Sequence, residues 1–326
     1  MKLRVAVLYG GRSGEHEISL RSARAVLDAL DRERYDVSEI VISKDGHWSP
    51  RAISPDPAEN GGIDVVIPML HGTFGEDGTV QGLLELAGLP YVGAGVLASA
   101  AAMDKEVTKR LCRERGLPVG DYIVLQRKEL KDAARLCAHL PFPLFVKPAN
   151  LGSSVGISKA HDEKELCPAL QLAAQFDTRI IVERGIAGRE FECAVMGNGD
   201  ADAAVPCEII PSREFYDYED KYLLDAARVV LPADLSAGQT AEMRRLAVEC
   251  YRAVGCEGMA RVDFLLEHST GKMFINEINT VPGFTSISMF PKMWEHWGLP
   301  MPKLLDRLIE LALERQRTRE GLRYSR

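Results

Sequence analysis

No Cys-x-x-Cys pair occurs in this chain, and its seven histidines show no metal-ligand spacing, so no segment reads as a zinc site. The cysteines, at 112, 137, 167, 193, 207, 250 and 256, are odd in number and sit mostly inside apolar runs. Buried, reduced thiols in a cytoplasmic protein are therefore expected, not a disulfide framework. Long apolar stretches are lacking too, and none approaches the roughly 20 residues that span a bilayer. The opening run Met1–Tyr9 is too short for a secretion signal and ends in a glycine turn, as a first strand would. Clustered basic charge is also missing. The net charge is −7 with both signs mixed, and the one basic stretch, Glu314–Glu320, is broken by acidic residues. This excludes a nucleic-acid surface and predicts a solvated helix end. Repeats and low-complexity segments are absent.

What is present is an ordinary soluble composition, 46% apolar and 27% charged over 326 residues. That length allows two domains, or three small ones packed as a unit. The first third alternates strand and helix. Val5–Tyr9, Val37–Ile42 and Val65–Met69 read as strands, and Ile18–Leu30 and Val80–Ala87 as helices. This α/β alternation predicts a parallel sheet covered by helices. A helix is expected through Met103–Arg115, then strands at Tyr122–Leu125 and Leu144–Val146, a helix near Glu163–Ala174 and a strand at Ile180–Glu183. Further strands are expected at Phe191–Met196 and Ala203–Ile210, a helix at Ala241–Val254, a hairpin joining Ala260–Leu266 to Met273–Asn279, and two terminal helices.

The hairpin carries the sharpest chemistry. Strand side chains alternate, so Arg261 and Asp263 share a face, as do Glu277 and Asn279. Neighbouring positions are apolar, so both strands read as buried. Carboxylates crowded on a buried face are costly unless cations justify them. All-oxygen ligands suit Mg²⁺ bridging phosphates better than zinc. The competing reading is a polar sheet edge with Arg261 paired to Asp263. A second element, Phe145–Pro148 followed by Asn150–Gly156, ends a strand in Lys147 and continues into a Gly/Ser loop able to cradle phosphates. It lacks the Gly-Lys-Ser/Thr of a Walker loop. A third, Ile180–Ile186, could hold an adenine through its backbone, or be an ordinary interdomain turn. The fourth, Gly10–Ser19, lacks the dinucleotide-binding glycine spacing, which disfavours a Rossmann dehydrogenase. Glu15 lies at a strand-to-helix crevice where it could hold a substrate ammonium, or merely favour the helix dipole.

Together these stretches resemble the D-alanine–D-alanine ligase family of the ATP-grasp superfamily, over essentially the whole chain. The resemblance also rests on His71–Gly78, Met103-Asp104-Lys105, Phe215–Tyr222 and Thr280–Ser286. It implies an α/β fold of three lobes: an N-terminal parallel α/β substrate domain at 1–100, a central ATP-grasp lobe at 101–185, and a C-terminal lobe with the catalytic and metal site at 186–326. Lys105, Lys147 and Ser154 would hold ATP phosphates, and Glu183, Arg184, Ile186 and Glu190 the adenosine. Asp263, Glu277 and Asn279 would hold two Mg²⁺, with Mn²⁺ as a substitute. Glu15 would take the first substrate's ammonium, Arg261 and the Gly283 N–H the oxyanion, and Ser288 and Lys221 the second substrate's carboxylate. Glu15, Ser153 and Tyr222 would close the 212–222 loop over the site, with His71 near the first substrate.

The implied activity is joining two D-alanines through a D-alanyl phosphate, for peptidoglycan precursor synthesis, by a cytoplasmic homodimer. Charge neutralisation suffices for that chemistry, and no nucleophilic side chain is required. Departures from the family pattern are small: Met289 stands where leucine is common and Arg184 where lysine is common. The alternatives are a D-serine or D-lactate ligase, another ATP-grasp carboxylate–amine ligase, or an inactive nucleotide-binding protein. The Tyr216–Tyr222 stretch argues against the lactate type.

Overall fold

The computed structural model describes residues 2–152, 155–211 and 228–323. Its first sheet is built from β1 (Leu3–Gly10), β2 (Tyr35–Ile42), β3 (Trp48–Ser49) and β4 (Val65–Met69), in the order β3-β2-β1-β4. β1 runs parallel to both β2 and β4, and the two-residue β3 adds an antiparallel edge to the otherwise parallel sheet. Helices α1 (His16–Ala29) and α2 (Thr79–Leu86) follow from β1 and β4. Ser19 on α1 joins the ends of both strands. Its hydroxyl accepts from the Gly10 N–H at 2.7 Å and donates to the Met69 carbonyl. That places the Gly10–Glu15 turn at the carboxyl edge of the sheet, where open α/β sheets bind ligands.

The helix expected through Met103–Arg115 is α4 (Lys105–Glu114), and a further helix, α3 (Val96–Met103), precedes it. Asp104 separates them. Its backbone is extended, its side chain caps α4 by accepting from the Val107 N–H at 3.0 Å, and it bridges to Asn150. The second sheet is antiparallel, with β5 (Tyr122–Gln126), β6 (Leu144–Pro148), β7 (Ser158–Ala160) and β8 (Arg179–Arg184) in the order β5-β8-β6-β7. Helices α5 (Ala133–Cys137) and α6 (Glu163–Ala173) close its core.

The third sheet begins with β9 (Gly188–Gly197). The single strand expected at Ala203–Ile210 is two, β10 (Asp202–Ala203) and β11 (Cys207–Ile210), because Pro206 has no N–H to give the ladder. With β12 (Arg228–Val230), β13 (Gly258–Glu267) and β14 (Met273–Asn279) the order is β12-β11-β9-β13-β14, and β10 pairs beside β9. Helix α7 (Ala237–Ala253) packs on this sheet, and α8 (Met289–His296) and α9 (Met301–Glu320) reach the first sheet. One apolar core runs from Val5, Ile67 and Met69 through Ala194 and Ile209 to Met293, Trp294 and Leu308. All seven cysteines are free and six are buried, with Cys167 exposed. Among the described residues no helix is long and apolar enough to cross a membrane.

Candidate active site

The register of the third sheet decides the site. Asp263 on β13 lies opposite Glu277 on β14 and opposite Glu192 on β9, and Arg261 lies opposite Asn279 and Ala194. Cross-strand neighbours share a face, so Glu192, Asp263 and Glu277 form one row, with Arg261 and Asn279 beside it. Just beyond Asp263 the register slips and leaves Asn276 as an extra residue on β14. Such bulges re-aim backbone groups near active sites. Here the freed Asn276 carbonyl accepts from Lys109 Nζ at 3.3 Å.

This row forms the wall between two cavities, and Glu192 and Glu277 line both. The first cavity gathers Glu15, His71, Lys105, Arg261, Asn279, Gly283 and Ser288. Glu15 starts α1 without a side-chain cap bond. A side chain at Gly72 would collide with its Oε2, whereas one at Gly152 would only touch it, so the carboxylate in this position needs glycine at 72. The Glu15 side chain is thus turned into the cavity, away from the helix end. Ser288 Oγ accepts from the Thr285 N–H at 3.0 Å and sits where any Gly283 side chain would be. His71 bonds the Val281 carbonyl at 3.0 Å through Nδ1 and Ser22 Oγ at 2.9 Å through Nε2, and Ser22 Oγ accepts from the Phe284 N–H. It thereby holds the Val281–Phe284 loop against α1. Burial disfavours a charged His71, but Glu76, 3.5 Å away, and Glu15 outweigh it and raise its pKa.

The second cavity lies between the second and third sheets. Lys147, Glu183, Arg184, Ile186, Glu190 and Asp263 line it. Glu183 is buried on β8 between two lysines, Lys147 at 3.0 Å and Lys109 at 3.2 Å. Burial opposes its charge, yet the two ammonium groups pull its pKa down to about 2. Lys147 shows the converse: burial works against its charge, but Glu183, Glu277 and Glu190 raise its pKa. The Glu183 carboxylate is therefore committed to the two lysines.

The structure separates one expected pair. Lys105 lines the first cavity, where its Nζ donates to the Leu151 carbonyl at 2.5 Å, while Lys147 lines the second. The competing reading of the hairpin holds in its pairing but not in its sheet edge: Arg261 donates to both Asp263 oxygens at 2.7 and 2.6 Å, with Glu192 Oε1 3.3 Å from Nε, and β13 is paired on both sides. Among the described residues no three of His, Cys, Asp and Glu are grouped to hold a metal. The donors of Asp263, Glu277 and Asn279 are nevertheless all oxygen and on one face, which fits magnesium. Ser153, Ser154, Lys221 and Tyr222 lie outside the described residues. Two residues were overlooked in the sequence. Lys109 follows Lys105 by four, hence on the same helix face, and Glu192 alternates with Glu190.

Known proteins match this arrangement along its length. The family model described as the D-ala D-ala ligase C-terminus matches residues 111–310, and that of the N-terminus matches 4–60 and 50–94. A curated D-alanine–D-alanine ligase from Solibacter usitatus is 66% identical, covering all of both chains. The solved D-alanine–D-alanine ligase from Coxiella burnetii is 40% identical, with a TM-score of 0.88 over 98% of this chain and 96% of that one. A D-Ala:D-Ser ligase from Enterococcus faecalis is 36% identical, also at 0.88, over 96% of this chain and 100% of that one. With both halves matched by family models and two thirds of its residues shared with a curated relative, the chain belongs to the D-alanine–D-alanine ligase family.

Proposed function

We propose that this chain joins two D-alanine molecules at the shared wall of its two cavities, and that its residues divide the work as follows. The family is ATP-dependent and acts on small molecules. The observation that carries the reading is the row Glu192–Asp263–Glu277 with Arg261, which faces an amino-acid-sized pocket holding Glu15 on one side and the lysine-lined cleft on the other. Lys147, backed by Glu183, takes phosphate oxygens. The backbone of Glu183–Ile186 and the Glu190 carboxylate take the adenosine. Asp263, Glu277 and Asn279 would hold two Mg²⁺, which would supply charge neutralisation for the phosphate oxygens. Lys105, placed in the amino-acid cavity, reaches the transferred phosphoryl from the substrate side.

Glu15 holds the first D-alanine by its ammonium, leaving the carboxylate toward Arg261. A carboxylate oxygen attacks the terminal phosphorus and ADP departs. The second D-alanine, its carboxylate held near Ser288 and Lys221, attacks the acyl carbon with its deprotonated amine. Arg261 and the Gly283 N–H stabilise the oxyanion, and phosphate departs. Ser154 is proposed to hold ATP phosphates with Lys147, and Glu15, Ser153 and Tyr222 to close the site against water. The lobes 1–100, 101–185 and 186–326 are proposed as the three bodies of a cytoplasmic homodimer. D-Serine as second substrate is the alternative that the Enterococcus faecalis likeness keeps open. Incubation with ATP, Mg²⁺ and D-alanine tests the reading: ADP, phosphate and D-alanyl-D-alanine should form in equal amounts. Production of AMP and pyrophosphate would overturn it.

A further inference from the structure

The bidentate pair between Arg261 and Asp263 conflicts with the role of a metal ligand. Both Asp263 oxygens accept from the guanidinium, so a cation approaching that carboxylate must displace at least one N–H. Arg261 cannot move into water when displaced. Its side chain is largely buried, and a buried cation without a counter-charge is strongly disfavoured. The neighbouring strand supplies the counter-charge. Glu192 is buried, stands directly opposite Asp263, and already has Oε1 3.3 Å from Arg261 Nε. It sits on β9, which is paired on both sides, by β11 and β13.

We propose that Glu192 is a positioning residue that takes over the Arg261 guanidinium when a divalent cation claims Asp263. The exchange rests on the metal reading above and adds a residue to it. Arg261 stays in the wall of the amino-acid cavity while Asp263 turns from ion-pair partner to ligand. Without Glu192, cation and guanidinium compete for one carboxylate.

The test reads metal binding, not turnover. Mn²⁺ affinity is measured by the electron paramagnetic resonance signal of free Mn²⁺, with the full chain and a non-hydrolysable ATP analogue. Glu192→Gln should weaken Mn²⁺ about tenfold, and Glu192→Asp, which keeps the charge, should recover most of that loss. In an Arg261→Met background the same Glu192→Gln change should cost less than about twofold, because no guanidinium remains to be re-housed. Equal weakening in both backgrounds would mean that Glu192 attracts the ion directly, and would overturn the exchange while sparing the metal site. No weakening in either would also overturn it. If Asp263→Asn left Mn²⁺ affinity intact, the metal reading itself would fall and the exchange with it. Circular dichroism of each variant separates these results from misfolding.

Discussion

The two cavities share a wall but are built differently. Around the first cavity, the first and third sheets are joined by one continuous apolar core, from Val5 and Met69 to Trp294 and Leu308. Polar ties reinforce it: Arg315 donates to the Gly93 and Tyr91 carbonyls at 2.5 and 2.8 Å, and Asp306 accepts from Tyr35 at 2.7 Å and from Arg34. Around the second cavity, the second sheet has a core of its own, confined to residues 125–182. Its ties to the rest are largely ionic: Arg179 to Asp104 and Glu106, Lys109 to Glu183 at 3.2 Å, and Arg184 to Glu267 at 2.7 Å. Apolar interlocking is close-packed and resists sliding, whereas an ionic seam can open and be re-formed around a charged ligand. The first cavity is thus framed by fused apolar packing and the second by an ionic seam, which under the proposed function would suit a charged cosubstrate that must enter and leave.

The largest expected effect lies on the wall itself. Asp263→Asn or Glu277→Gln should lower turnover by about 10³-fold or more, and Asp263→Asn should also lower the ligand-free melting temperature, since it takes the paired carboxylate away from the largely buried Arg261. Near-normal activity at saturating Mg²⁺ would remove these residues from the metal site.

Next comes the contrast between the two cores. Leu308→Ala and Leu170→Ala should each cost about 2–5 kcal/mol. In hydrogen exchange, Leu308→Ala should weaken the first and third sheets together. Leu170→Ala should weaken only residues 122–184, and ATP should restore their protection. If both variants loosened all three sheets alike, the division into a fused half and a hinged half would be wrong.

The ionic seam should show in acid. The pKa of Glu183 is depressed from 4.5 to about 2 in the folded chain, so its contribution is present above pH 4.5 and is lost as pH falls through 2. Urea unfolding between pH 5 and 2.5 should therefore show the wild type losing up to about 3 kcal/mol more than Glu183→Gln. Parallel curves for the two proteins would contradict the lysine–carboxylate–lysine cluster.

The smallest effect concerns Lys109. Lys109→Met leaves Glu183 to Lys147 alone and should raise the KM for ATP roughly fivefold, about 1 kcal/mol, with the KM for D-alanine unmoved. A change in the D-alanine KM of equal size would indicate general loosening of α4.

Much of this was legible from local pattern. The alternation in Ala260–Phe264 put Arg261 and Asp263 on one face, and the structure keeps them there. Strand Val65–Met69 was read to the residue, and most other elements to within a few residues of their ends. The failures have local causes. Helix Val96–Met103 was missed because its run of small apolar residues has no polar face to mark a helical period. Pro206 splits a strand. Glu192 and Lys109 went unremarked because each matters only through a partner far along the chain: Arg261, and Glu183 on another sheet.

The sequence by itself determined which faces are polar, which loops carry glycine and which lysines end strands or start helices, since side-chain period and turn chemistry are properties of a few consecutive residues. Only the tertiary structure decided that Asp263 meets Glu192 on one side and Glu277 on the other, that Arg261 lies on Asp263, and that Lys105 lines the first cavity while Lys147 lines the second. Those outcomes depend on strand register and on which cores fuse. Both are settled by burial summed over residues hundreds of positions apart, and no short stretch of the chain encodes that sum.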